Sequence, residues 1–450
     1  MTKQNHGLSG AAKGARIVLA ALMAFVSLSM AAAEETVPRF RIGVYRFNRN
    51  VRTEERFRDM KEAGVDFFTS HDIHGDKKSL DTMQRLGIET IAGGVLPHMW
   101  GGNTNVNGNI ERKFPLSRYE KAAKGLERHP AEWMYSAGDE LSALDFPYLG
   151  KAFRRVQEIN PAIRIYLNLH PCTQVNARLY FGVENYRRYI EEYCRYIPLD
   201  YISYDLYIYA HRRDWAIARL YENFRIVSDA CRDTGRKLRF IAQVNTRRPS
   251  IDITEQKLRY QAWSAMAFGA ESLAWACWSP GWWTNNVLTA TGEKTVQYGR
   301  LKTVNMEIRR MEPHYMRFVR KETFFTGFTG PAAKWLAPCE KVGVPQVNFN
   351  LPDGIDTEIF KEVKSEDGLP IVAGDMEARD GGSERALFVF AADDPYDENP
   401  RTRTVRFSLA SGSVKAIGPD GPVKLRIATD GTYSFDVRSS MCVMLVARAE

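Results

Sequence analysis

The chain has 450 residues, 44% of them apolar and 26% charged, with a formal net charge of +8. That length exceeds one small domain, and the balance is that of a soluble globular protein, which excludes a disordered or fibrous chain. The cations are scattered rather than gathered into a basic helix or a basic–aromatic run, so no nucleic-acid partner is expected.

The first segment reads as a leader. Lys3, Lys13 and Arg16 precede the apolar run Ile17–Met30, and Ala31-Ala32-Ala33 follows. Charged, apolar and small-residue segments in that order make a secretory signal peptide over residues 1–33, with cleavage expected after Ala33. The apolar run is short for a membrane span. No second long run follows and no cysteine lies near the cleavage site. The expectation is a secreted or periplasmic protein with no stable membrane insertion. Losing the leader removes three cations and no anion, which lowers the charge from +8 to +5. A residual positive charge on an exported protein is compatible with acidic polysaccharide. The six cysteines, Cys172, Cys194, Cys231, Cys277, Cys339 and Cys442, are widely spaced without a CxxC. A dense disulfide framework is therefore not expected, and individual pairs or buried thiols both remain open.

From residue 38 to about 325, short apolar runs alternate with amphipathic stretches. Strand one is Phe40–Phe47, followed by a helix over Glu54–Ala63 closed by Gly64. Strand two, Val65–Ser70, leads to a helix near Lys78–Leu86 closed by Gly87. Strand three is Ile88–Gly93, and after a polar loop at Gly101–Asn109 comes a helix at Leu116–Arg128. Strand four is Trp133–Ala137, with a helix at Phe146–Ile159, and strand five is Arg164–Leu169, with a helix at Glu184–Tyr196. Strand six is Tyr201–Tyr204, with a helix at Trp215–Thr234, and strand seven is Leu238–Gln243, with a helix at Glu255–Phe268. Strand eight is Ser272–Cys277, and a last helix covers Lys302–Met311.

Eight β-then-α units with Gly or Pro at helix ends predict a (β/α)₈ TIM barrel. A doubly wound sheet is disfavoured because Tyr45–Asn50 contains no Gly-rich phosphate loop. Over 326–450 the pattern becomes alternating runs at Ala386–Ala391, Arg403–Leu409, Val414–Ile417, Val423–Ile427, Thr432–Val437 and Met441–Ala447. Asp420-Gly421 and Asp430-Gly431 mark turns between them, which predicts a C-terminal antiparallel β-sandwich.

In such a barrel, catalytic groups sit at the C-terminal strand ends. The polar and aromatic residues there are Arg46 and Asn48, His71 and Asp72, His98, Asp139 and Glu140, Asn168 and His170, Asp205 and Tyr207, Gln243 and Asn245, and Trp278 and Trp282. The chain lacks a GxSxG elbow, a phosphate loop and an HExxH motif. Amides and carboxylates bond sugar hydroxyls, aromatic faces stack on pyranose rings, and glycoside cleavage needs two carboxyl groups. The sharpest feature is Gly138-Asp139-Glu140 after strand four, where Gly138 permits a sharp turn and Glu140 projects over the barrel mouth. The competing reading is that the two acids cap the next helix. Asp205 can be a general base, a hydroxyl ligand or a structural acceptor. The His71-Asp72-Ile73-His74 run lacks a third ligand nearby, so substrate contact is favoured over a metal. No cofactor is expected.

With Gly138-Asp139-Glu140, Ile202–Tyr207, Arg259–Gly269 leading to Leu273–Trp278, and Thr291–Tyr298 in that order, the chain resembles the clan A glycoside hydrolases, nearest in feel to family 42 β-galactosidase-like barrels. The resemblance implies that Glu140 is the acid/base, with Asp139 where Asn is usual. It also implies a nucleophilic Glu on strand seven, but Phe240–Asn245 has no carboxylate. Three readings follow: Asp205 or Asp139 as base for water, a nucleophile supplied by the substrate, or a barrel that only binds glycans. A polysaccharide lyase is a more distant alternative. The expected site is Glu140, Asp205 and Asp139 for catalysis, with Arg46, His71, Asn168, Tyr207, Gln243, Asn245, Trp278 and Trp282 against an oligosaccharide or polysaccharide.

Overall fold

The computed structural model describes residues 38–102, 108–173, 177–211, 213–337, 347–397 and 399–448. The expected leader, the middle of the Gly101–Asn109 loop and Cys339 lie outside these residues. Eight parallel strands come first: β1 Arg41–Tyr45, β2 Phe67–Ser70, β3 Glu89–Ala92, β4 Glu132–Asp139, β5 Ile165–Asn168, β6 Tyr201–Asp205, β7 Lys237–Gln243 and β8 Ala270–Ala276. Their order is β5-β4-β3-β2-β1-β8-β7-β6. The two ends of that sheet meet where the Leu169 amide donates to the Ser203 carbonyl at 2.8 Å, which closes the barrel.

The helices between the strands start and stop on local chemistry. Helix α1 (Glu54–Glu62) begins at Thr53, whose hydroxyl accepts from the Arg56 amide, with Glu54 and Glu55 in its first turn. Helix α2 (Lys77–Leu86) begins at Asp76 and ends at Gly87, which takes the left-handed conformation at φ 63°. The remaining large helices are α3 Leu116–Gly125, α4 Phe146–Ile159, α5 Tyr186–Tyr196, α6 Arg213–Thr234, α7 Glu255–Ala267 and α8 Val296–Tyr315. Helix α8 is longer than its sequence reading at both ends. Thr295 caps it by accepting from the Gln297 amide, and it continues through Pro313 near its C-terminal end.

Beyond the barrel lies a sandwich of a six-stranded and a four-stranded antiparallel sheet. Its first strand, β9 (Phe318–Thr326), falls before the 325/326 boundary read from the sequence, yet pairs antiparallel with a strand at Ile371–Ala378. The accessory sheet thus begins immediately after α8. Alternation is blunt in the sequence of both: Ile371–Ala378 is buried on both faces over most of its length, and β9 buries Arg320 and Thr323 among its inward residues.

Helix α7 is buried on almost every side, which is why its sequence shows little amphipathic pattern. One side lies on the barrel. On another, the Tyr260 and Trp263 rings meet Phe390 and Phe388 of the sandwich at 5.3 and 6.3 Å. One apolar core therefore runs through barrel and sandwich, and a second fills the space between the two sheets. No described helix is long and apolar enough to cross a membrane. The five described cysteines are free thiols, so the pairing expected as one alternative is not found among them.

The tightest point of the barrel–sandwich contact is Gly374, where a Cβ would stand 2.4 Å from the Ala267 carbonyl oxygen. Gly374→Ala forces two backbones apart and should destabilise the protein by about 1–3 kcal/mol. Urea unfolding followed by tryptophan fluorescence checks this, and an unchanged midpoint would contradict the close packing.

Candidate active site

The barrel mouth holds a cavity of about 650 Å³ at the C-terminal strand ends. Asp139 and Glu140 reach it from β4, Asn168 from β5, Asp205 and Tyr207 from β6, and Arg46 and His71 from the first two strand ends. Trp282 arrives on the loop after β8. These eight residues are brought together as read from the sequence.

Three others are not. Gln243 is fully buried, accepts from the Tyr209 amide at 2.9 Å and donates to the Asn245 carbonyl at 2.8 Å. Asn245 donates to the Trp282 carbonyl at 2.7 Å and to Asn286 at 3.3 Å. The Gln243 amide and the Asn245 amide nitrogen are consumed in holding loops, and neither residue lines the cavity. Trp278 is buried edge-on to Tyr298 at 6.0 Å and forms no stacking wall. The aromatic wall is instead Tyr45, Tyr207, Trp282 and Trp283, with Tyr207 5.3 Å from Trp283 and 6.0 Å from Trp282. From β7 the cavity receives Ile241 rather than a carboxylate.

A slip in the ladder aims the acids. Ser136 pairs with Tyr166, the next pair is Gly138 with Leu167, and Asp139 then faces Asn168. The extra residue, Ala137, is a bulge that re-aims the strand end. Gly138, expected to permit a sharp turn, does not itself take the left-handed conformation. Its missing Cβ makes room for Leu141 and Leu167, and the left-handed residue is Glu140, at φ 53°. A non-glycine residue there is strained by roughly 1–3 kcal/mol. The Glu140 amide bond to the Asn168 carbonyl at 3.0 Å holds it, and Gly101 packs where any Cβ would strike the Glu140 carbonyl.

A chain of hydrogen bonds orders the carboxyls. Tyr45 and Tyr166 share a hydroxyl contact at 3.0 Å, as do Tyr166 and Ser203. The Ser203 hydroxyl donates to the Asn168 carbonyl oxygen at 3.0 Å. That contact turns the Asn168 amide nitrogen toward both aspartates, donating to Asp139 at 3.0 Å and to Asp205 at 2.8 Å. Their oxygens thus stand no farther apart than these two bonds laid end to end.

Burial raises the pKa of all three acids, each by a different balance. Asp205 is raised by burial alone, and donation from Asn168 and then Tyr207 opposes the rise. Asp139 is raised by burial and then by the Asp205 charge. Glu140 is held well above the ordinary carboxyl range by burial, then by Asp205 and Asp139, with only the Trp100 indole donating against this. Trp100 makes that bond at 2.9 Å. Behind Glu140, the His170 Nδ1 lies 3.7 Å from a carboxyl oxygen, and burial drives its pKa down to about 3. A neutral imidazole lends no charge to stabilise a Glu140 carboxylate. Of the three, Asp205 has the most donation opposing the rise, and Asp139 and Glu140 have one donor each.

His71 and His74 diverge. The His71 ring meets His98 at 4.9 Å, whereas His74 contacts Glu132 at 2.7 Å. Asp72 is occupied by Arg52 and by the Ser70 hydroxyl. No group of three metal-ligating side chains occurs among the described residues. The sequence reading missed Trp100, Tyr45, Trp283, Arg49 and Ile241. Only Trp100 carried a signal, as a large aromatic in a loop of small polar residues.

No protein-family profile and no curated protein matches the chain. Among solved structures it is similar to a catalytic mutant of Gan42B, a GH42 β-galactosidase from G. stearothermophilus. The identity is 10% and the TM-score 0.54, with 91% of this chain and 98% of that one covered. It is also similar to a family 39 glycoside hydrolase from the gut symbiont Bacteroides cellulosilyticus, at 11% identity and TM-score 0.48, covering 92% and 81% of the two chains. At such identities the likeness is one of fold: a TIM barrel followed by a C-terminal β-sandwich.

A carboxyl whose pKa rises on folding stabilises the fold below its unfolded value of about 4.3 and loses that contribution as pH climbs through the raised value. Glu140→Gln removes this loss. It should raise the melting temperature at pH 8 and leave it nearly unchanged at pH 4. An equal shift at both pH values would contradict a Glu140 raised on folding.

Proposed function

We propose that the protein is an exported glycoside hydrolase acting on oligo- or polysaccharides, with Glu140 as general acid and Asp205 as general base. The observation that carries the reading is the convergence of Asp139, Glu140 and Asp205 on one aromatic-walled cavity, with environments that separate their protonation. Glu140 keeps its proton and gives it to the glycosidic oxygen as the bond to the anomeric carbon breaks. Water attacks that carbon and loses its proton to Asp205. The proton returns from Asp205 to Glu140 through solvent, which completes the cycle and inverts configuration. Asp139 maintains the Glu140 proton by its proximity, and Trp100 orients the carboxyl. Export rests on the leader-like segment of residues 1–33.

A carbohydrate-binding barrel without turnover is the second reading. Ile241 favours it, because an apolar side chain stands where β7 meets the cavity. Turnover separates the two.

On glycosides with poor leaving groups, Glu140→Gln should lower kcat by about 10²–10⁴-fold. Activated aryl glycosides need less protonation and should lose less. Asp205→Asn should lose activity on both substrate types, and NMR of the first product should show the inverted anomer. Retention with covalent trapping on Asp205 would make it a nucleophile. Unchanged turnover in Glu140→Gln would remove Glu140 from the mechanism.

A further inference from the structure

The cavity is electrically two-sided. The acids come from β4 and β6, whereas the loops after β1, β2 and β3 contribute Arg46, Arg49, His71 and His98. Arg46 and Arg49 are exposed, and neither forms an ion pair with a described residue. The nearest acid on this side, Asp72, is already paired with Arg52. The wall therefore offers two uncompensated guanidinium groups to whatever fills the cavity.

Exposed arginines are common, but Arg46 is placed. Its backbone is left-handed at φ 61° and is clamped from both sides. Its amide donates to the Thr69 carbonyl at 3.1 Å, and its carbonyl accepts from the Ser279 amide at 2.9 Å. The Arg46 stem then lies across Gly281, with its Cδ 2.5 Å from where a Cβ on Gly281 would stand. Only glycine at 281 leaves that path open, and Trp282 and Trp283 follow directly. Glu140, Arg46 and Trp283, all cavity residues, are half of the six non-glycine residues with positive φ among those described. Strain of this kind persists where a side chain must be held in place.

Resting on the carbohydrate reading above, we propose that this wall is an anion subsite, and that the protein takes acidic saccharides whose carboxylate or sulfate ester is held by Arg46, assisted by Arg49. A planar guanidinium pairs with either group through two parallel N–H···O bonds. His71 and His98 flank the subsite as hydrogen-bond partners, and the aromatic wall takes the sugar face.

The test is calorimetric titration of the whole protein with matched pairs. One arm uses oligogalacturonides and oligoglucuronides against their carboxyl-reduced forms. The other uses sulfated galactan oligosaccharides against their desulfated forms, so the arms separate carboxylate from sulfate. The charged member of at least one pair should bind about tenfold or more tighter than its neutral partner. The difference should shrink with added salt and fall to near unity in Arg46→Gln, with a smaller drop in Arg49→Gln. An unshifted melting temperature in both variants shows that the fold is kept. Equal affinity within every pair, a preference that survives both substitutions, or no binding of any charged member at millimolar concentration would overturn the proposal. Hydrolysis of neutral glycosides without charge preference would reject the subsite and keep the hydrolase. Charge-selective binding without turnover would do the reverse.

Discussion

Everything in the barrel mouth leans on the side-chain amide of Asn168. Its oxygen is fixed by the Ser203 hydroxyl, so its nitrogen has no choice but to face the two aspartates. Two carboxylates held this close by one neutral donor cannot both be charged cheaply in a buried setting. Donation is greatest at Asp205, which has both Asn168 and Tyr207 to oppose the rise that burial imposes. Asp139 and Glu140 are both raised by burial and then by the neighbouring Asp205. One amide thus gives three similar acids three different surroundings.

The scaffold supports this arrangement at several removes. The Ala137 bulge turns Asp139 toward Asn168, and Gly101 leaves room for the left-handed Glu140. Gln243 and Asn245 give up their amides to the loops that present Tyr209 and Trp282. Gln243 on β7 thus braces the rim. The sandwich contributes from behind by burying α7, the helix that follows this strand.

The barrel was legible because its signals are local. Helix α4 was read as Phe146–Ile159 and is found there, since its apolar stripe and Pro161 mark it within one window. The Gly138-Asp139-Glu140 turn was legible for the same reason. What escaped depends on partners far along the chain. Trp100 matters through Glu140, forty residues on, and Gln243 is neutralised as a ligand by the backbone of Tyr209. Trp278 looked like a wall because it follows a strand end, but its ring turns into the core against Tyr298. β9 escaped because polar Arg320 and Thr323 take inward positions, and its partner strand because burial on both faces erased its alternation.

The central claim is the order in which the three acids lose their protons. Infrared difference spectroscopy of the carboxyl C=O stretch across pH, in the wild type, Asp205→Asn and Glu140→Gln, measures it directly. The account predicts that the band lost at lowest pH disappears in Asp205→Asn and that the band surviving to highest pH disappears in Glu140→Gln. A Glu140 band that vanishes first, or three bands that all titrate near the ordinary carboxyl value of about 4, would contradict it.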